Sequence, residues 1–467
     1  MWYCRRRVAS LLAGEVPLLA VRHRGSGTAG AGWRGRGEAA RSGARGEQMS
    51  ASDLALVAAL IFMWSTLSAR LERFDVTAPI AFVLAGLLLT HGPLAPLGFA
   101  PSHELVKTLA EVTLVLVLFC DASRVGLRDL RTDMGLCVRL LVIGLPLTIG
   151  LGTLFALAVA GETNLWLALL VGAALAPTDA ALGAGMMVNR AVPVRIRRLI
   201  NVESGLNDGI ATPFVLIALA GVQPSGHASV GPAEAAAELA LGVALGAVVG
   251  GVGGYVVKVA SDRGWVAGSF AGSAVLALAV CAYACALALH GNGFIAAFTG
   301  GLAFRAAGGQ RGERLVPFVE ETSALVSLLV WLAFGAVAVV PTFESLTWRD
   351  VAYAVLSLTL IRMVPVAVAL AGTRLGRTTV AFVGWFGPRG LASVVFALLT
   401  LEEVGERAAG SAIAIIGFTV LLSVVAHGVT ADPLARRYGP SMTQALAPGG
   451  DPGSPPPPER RLIRRAS

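Results

Sequence analysis

Residues 176–209 read APTDAALGAGMMVNRAVPVRIRRLINVESGLNDG, and they set Asp179, Glu203 and Asp208 beside long apolar runs. The run Leu165–Ala176 leads directly into Pro177-Thr178-Asp179. Ionisable groups inside a bilayer cost several kcal/mol unless they are paired, hydrated or used. Acids embedded in apolar sequence therefore ask first whether these runs are membrane spans.

The rest of the chain says that they are. Of 467 residues 55% are hydrophobic and 14% charged, where a soluble domain carries about a quarter charged. Apolar runs such as Leu109–Phe119 recur along most of the length, which implies many spans rather than one core. Thirteen are expected, near 53–69, 77–92, 104–122, 134–160, 164–186, 199–221, 234–259, 268–289, 292–306, 316–340, 350–373, 378–400 and 409–430. The fold class expected is thus an all-α polytopic membrane protein with about 13 transmembrane helices.

Loop charge supports that count. With alternate loops assigned to one side, that side collects Arg70, Arg124, Arg128, Arg131, Arg195, Arg197, Arg198, Arg263, Arg311, Arg374 and Arg377 among others. The opposite side holds mainly Glu162, Glu234, Glu402, Glu403 and Glu406. By the positive-inside rule the first side is cytoplasmic, and the C-terminus lies there. The net charge of +8 belongs to the ends: residues 1–48 hold nine arginines against three glutamates, and six more arginines stand from Arg436 onward. The body has no basic patch for nucleic acid. Residues 1–48 are expected to be a mis-assigned or disordered extension, with Met49 the start. Residues 439–467, containing Pro455–Pro458, are expected to be a disordered cytoplasmic tail. The five cysteines include no CxxC pair and read as apolar fillers.

In the sixth span Glu203 and Asn207 are four residues apart and share a helix face, as do Ser204 and Asp208 on the next stripe. One face can support while the other binds, and Ser204 and Asp208 offer hard oxygen ligands of the kind hard cations take. The eleventh span carries Arg362 and the twelfth Gly387-Pro388-Arg389-Gly390. Pro177 and Pro388 fall near the middles of their spans, where proline removes a donor and disfavours helix just before it. Two interrupted helices in corresponding halves mark a transporter site. Asp179 has a second reading, as a helix cap, and Arg389 has one as a packing charge paired with an acid. In the seventh span Gly242, Gly246, Gly250 and Gly254 form one stripe suited to close helix packing.

These motifs together resemble the monovalent cation–proton antiporter superfamily, in particular its sodium–proton exchangers with an Asn-Asp pair. The resemblance is carried by Ala176–Gly209, by FVGWFGPRGLASVV at Phe382–Val395, by LVLFCDASRVGLRDLR at Leu116–Arg131 and by AHGVTADPLARR at Ala426–Arg437. It implies inverted repeats with two broken crossing helices, a membrane antiporter domain over 49–438, and a homodimer in a bacterial-type plasma membrane. It implies cation ligation by Asp208, Asp179, Ser204 and Thr178, with Glu203 paired to Arg362, Arg362 also supporting Asn207, and Arg389 in the same polar network. The implied activity is exchange of Na⁺ or K⁺ for H⁺, with Asp208 as the shared site. Asn207 implies electroneutral 1:1 exchange. Neither enzymatic chemistry, a cofactor nor a resident metal is expected. Ala122 and Ala180 depart from the family pattern, which has Gly and Pro at those places in many members. The rival readings are an ion channel, for which no filter-like loop is visible, and an intramembrane aspartyl protease. Gly205-Leu-Asn207-Asp208 falls one residue short of the latter's signature.

Overall fold

The computed structural model describes residues 50–71, 76–99, 101–124, 135–183, 186–187, 189, 192–222 and 232–445. The expectations for residues 1–48 and for 446–467 lie outside them. Among the described residues the structure is helical throughout. The helices are α1 (Ala51–Leu71), α2 (Ala78–His91), α3 (His103–Arg124), α4 (Gly135–Ala160), α5 (Leu165–Ala174), α6 (Val194–Val222), α7 (Pro232–Asp262) and α8 (Gly268–Ala288). There follow α9 (Gly293–Glu313), α10 (Val316–Val337), the short α11 (Val339–Ser345), α12 (Trp348–Ala369), α13 (Arg377–Trp385), α14 (Leu391–Val404) and α15 (Glu406–Ala445). Each of the thirteen expected spans falls on one of these helices or, in the twelfth, on the pair α13 and α14. Among the described residues eight helices are long and apolar enough to cross a membrane by length and composition alone. The others are short, interrupted or charged, for reasons the site explains. The last helix runs to Ala445, seven residues beyond the tail boundary expected at 438, through a stretch ending in the good helix formers Met, Gln and Ala.

Packing sorts the helices into two bundles. In one, α7, α8, α9 and α10 pack together with α2 and α3. In the other, α4, α5 and α6 pack with α12, α13, α14 and α15. The bundles meet chiefly where α3 touches α6 and α14. The glycine stripe of α7 explains the tightest pairing. A Cβ on Gly242 would stand 2.6 Å from the carbonyl oxygen of Asn292, and one on Gly254 2.7 Å from that of Phe304, so α9 lies against bare backbone. Exposed apolar side chains such as Phe62, Val142, Val248 and Phe270 cover the outer surface, as lipid contact requires.

Candidate ion-binding site

The site is built from two interrupted helices. α5 stops at Ala174, two residues ahead of Ala176-Pro177, because Pro177 supplies no N–H and disfavours helix in the residue before it. Residues 177–179 run without helix and a single 3₁₀ turn, Ala180–Gly183, follows. α13 stops at Trp385, and residues 386–390 run without helix before α14 begins. The two gaps cross and satisfy each other's backbone. The N–H of Asp179 donates to the Pro388 carbonyl at 2.8 Å. Asp179 Oδ2 accepts the N–H of Leu391, the first residue of α14, at 3.2 Å, and Oδ1 accepts that of Ala181 at 2.9 Å. The capping reading of Asp179 is therefore realised, with one oxygen serving its own turn and the other the start of the opposite half-helix. A Cβ on Gly390 would collide with the Asp179 carboxyl group, which explains the glycine.

Arg389 is fully buried, and its partners are carbonyls rather than the acid expected of a packing charge. One terminal nitrogen donates to Ala176 O at 2.6 Å and to Pro177 O at 3.3 Å, and the other to Ser357 O at 3.4 Å. These first two are the acceptors released where α5 ends, so the arginine of one broken helix stabilises the negative end of the other. Arg362 and Glu203, each about 3% exposed, form a two-pronged ion pair with distances of 2.7 and 2.9 Å. Gly387 passes so closely that a Cβ there would meet the Arg362 Nε and, at 3.0 Å, Thr178 Cγ2.

α6 presents the remaining residues on two faces. Ser204 Oγ donates to the Thr178 carbonyl at 2.6 Å and accepts the Ala180 N–H at 2.9 Å. Asn207 Nδ2 donates to Thr178 Oγ1 at 2.7 Å. No hydrogen bond joins Arg362 to Asn207 among the described residues. The support that the resemblance assigns to that arginine comes instead from Thr178, because Arg362 is committed to Glu203. Asp208 is buried, and no protein donor reaches its Oδ1.

Asp179, Ser204 and Asp208 line one cavity of about 870 Å³. Thr178 stands behind it with its carbonyl and hydroxyl already engaged, and Glu203, Asn207, Arg362 and Arg389 also lie in the supporting layer. Among the lining acids that the sequence reading does not single out, Asp121, near the end of α3, faces the same space and an adjoining recess of about 320 Å³, and Glu320 and Glu321 of α10 line the larger cavity. The signal of Asp121 is an acid within Leu116–Arg131 at the end of an apolar run, but a span end makes a lone acid unremarkable. In the same lining Arg124 is paired with Glu320 of α10. A set of carboxylate and hydroxyl oxygens in such a pocket suits a hard monovalent cation or a proton.

The profile of the sodium/hydrogen exchanger transmembrane family matches residues 56–437. The chain belongs to the sodium/hydrogen exchanger family. Uncharacterized Na⁺/H⁺ exchangers of Mycobacterium bovis and Mycobacterium tuberculosis are 30% identical to it over 166 residues, which is 35% of this chain and 28% of theirs. The matched part of this exchanger-family chain thus spans under a third of the length of those relatives. The fold is shared with the sodium proton antiporter MjNhaP1 of Methanocaldococcus jannaschii. Two of its structures superpose with TM-scores of 0.67 and 0.63 at 19% identity, covering 83% and 84% of this chain and 98% of theirs.

Proposed function

We propose that this protein is a secondary transporter that exchanges a monovalent cation, Na⁺ or K⁺, for H⁺ across a membrane. The observation that carries the reading is Asp208, a buried carboxylate with an oxygen unclaimed by any protein donor, at the wall of a cavity it shares with Asp179 and Ser204. Membership of the sodium/hydrogen exchanger family favours sodium. A carboxylate kept from bulk water needs either a proton or a counter-ion. One group then binds the two substrates in competition, which is the requirement for exchange. If the bundle carrying the crossed breaks moves only when Asp208 is neutralised, transport is obligatorily coupled and proceeds by alternating access.

Asn207 spends its amide on Thr178 and contributes no charge, which supports electroneutral 1:1 stoichiometry. The cavity reaches Asp121 and Arg124 at the C-terminal end of α3, the end that loop arginines assign to the cytoplasm, so the conformation is read as inward-facing. The working unit is read as a homodimer in a plasma membrane, without cofactor.

The test is collapse of a preformed pH gradient in proteoliposomes on adding Na⁺, then K⁺, with and without an imposed membrane potential. Wild type is expected to move protons when the cation is added, independently of the potential, and Asp208→Asn to be silent. Normal transport by Asp208→Asn would end this reading of the site.

A further inference from the structure

The second break is also held from α15, a helix that carries none of the cation-site oxygens. Ser423 Oγ accepts the backbone N–H of Arg389 at 2.7 Å. His427 sets Nε2 2.9 Å from the carbonyl oxygen of Trp385, and Thr430 Oγ1 accepts the Trp385 indole N–H at 3.1 Å. Residues 423, 427 and 430 stand at i, i+4 and i+7, one stripe of the helix. The Trp385 and His427 rings lie 5.2 Å apart. This stripe therefore grips both ends of the gap: the last carbonyl of α13, which also accepts the Gly387 N–H at 2.8 Å, and an amide just ahead of α14.

The imidazole has partners for two protonation states. Its Nδ1 lies 3.2 Å from the Ser423 hydroxyl and 2.9 Å from the Ser423 carbonyl oxygen. A neutral ring donates from Nε2 to Trp385 and accepts the Ser423 O–H at Nδ1. A second proton makes Nδ1 a donor. It then turns to the Ser423 carbonyl, and the hydroxyl that holds Arg389 loses its acceptor. The ring's proton state thus decides how the Arg389 end of the break is tied. The charged groups near enough to act on the ring are Arg389 and Arg362, the latter already paired with Glu203.

We infer that His427 is a positioning residue for exchange, and that proton uptake on its ring rewires the hold on the Gly387-Pro388 break. Transport then has a pH dependence separate from that of Asp208. The inference rests on the exchange reading above, and one of its measurements does not require transport.

Three variants in proteoliposomes test it: His427→Gln, His427→Leu and Ser423→Ala. Glutamine can donate an N–H to Trp385 but cannot take up a proton. It is expected to keep the rate within about threefold at the wild-type optimum while flattening one limb of the pH profile. Leucine is expected to lower the maximal rate by about tenfold or more and leave the cation KM within about twofold, since Asp208 and Ser204 are untouched. Ser423→Ala should fall between these two in rate and, like the glutamine variant, flatten the profile. A purely structural role would lower the yield of folded protein in all three and leave the pH profile of the folded fraction unchanged, and that result overturns the inference. So does a folded glutamine variant as slow as leucine. Independently, an imidazolium in contact with an indole quenches its emission. A tryptophan-fluorescence titration of the wild type should show an acid quench that is missing from His427→Gln and from Trp385→Phe. Absence of that quench from the wild type overturns the inference whether or not exchange is detected, whereas a quench without exchange faults only the transport reading.

Discussion

Asp208 and Glu203 are buried acids five residues apart on one helix, and their surroundings separate their tasks. Glu203 has both oxygens on Arg362, while Asp208 has an oxygen with no donor. Removing one member of a buried ion pair leaves the other charge uncompensated, at a cost of about 3–5 kcal/mol. Glu203→Gln should therefore lower the thermal unfolding temperature in detergent sharply, and Glu203→Gln with Arg362→Met should recover much of the loss. Asp208→Asn should leave that temperature unchanged or raise it while abolishing exchange. A Glu203→Gln protein as stable as wild type would show that the pair is not structural. At this scale the sequence is legible where spacing does the sorting: the i and i+4 pairs within Glu203–Asp208 are enough to put Glu203 and Asn207 on one face and Ser204 and Asp208 on the next. Asp121 is not legible in the same way, because its significance lies in what α3 packs against, which no local pattern encodes. Nor is the partner of Asn207, since a side-chain amide finds whichever hydroxyl the fold delivers.

The helix breaks are visible in the sequence as prolines near the middles of apolar runs, but the destination of the freed backbone groups is not. Each broken helix is completed by the other. Arg389, from the α13–α14 gap, collects the carbonyls at the end of α5, and Asp179, from the α5 gap, caps α14. A proline predicts that a helix must stop; it says nothing of which long-range partner compensates. Because the gaps cross at van der Waals contact, their glycines are steric requirements. At Gly390 the backbone torsions are φ −137° and ψ −137°, and any Cβ meets the Asp179 carboxyl group. Gly390→Ala must push the crossing apart or turn Asp179 away from Leu391. Misplacing a binding group by about 1 Å costs on the order of a hundredfold in rate, so exchange should fall by about tenfold or more with the protein still folded. Alanine at Gly251, where a Cβ meets nothing within 4 Å, is the control and should transport normally. Equal rates for the two variants would mean that the crossing is more compliant than its contacts imply.

Across the whole molecule, the cavity and the strongest charge contacts between the bundles lie at opposite ends of α3. At its C-terminal end Asp121 and Arg124 line the cavity. At its N-terminal end Lys107 Nζ lies 2.5 Å from Glu403 and His103 Nδ1 3.0 Å from Glu402, both acids being in α14 of the other bundle. The bundles are thus tied by charge at one end of α3 and share the cavity at the other, an asymmetry of the kind that the alternating-access reading needs in one half-cycle. Exposed ion pairs contribute only about 0.2–1 kcal/mol each. Their value here is in setting a balance, since about 1 kcal/mol moves a two-state equilibrium roughly fivefold. Lys107→Glu should therefore favour the outward-facing form and raise the apparent cation KM on the cavity side about two- to fivefold without stopping transport. Restoring opposite charges with Lys107→Glu and Glu403→Lys together should return the KM toward wild type, and high salt should shrink all of these differences because the groups are solvated. A charge swap that fails to restore the single variant, or a Lys107→Glu effect insensitive to salt, would show that this seam does not govern which side of the membrane the cavity faces.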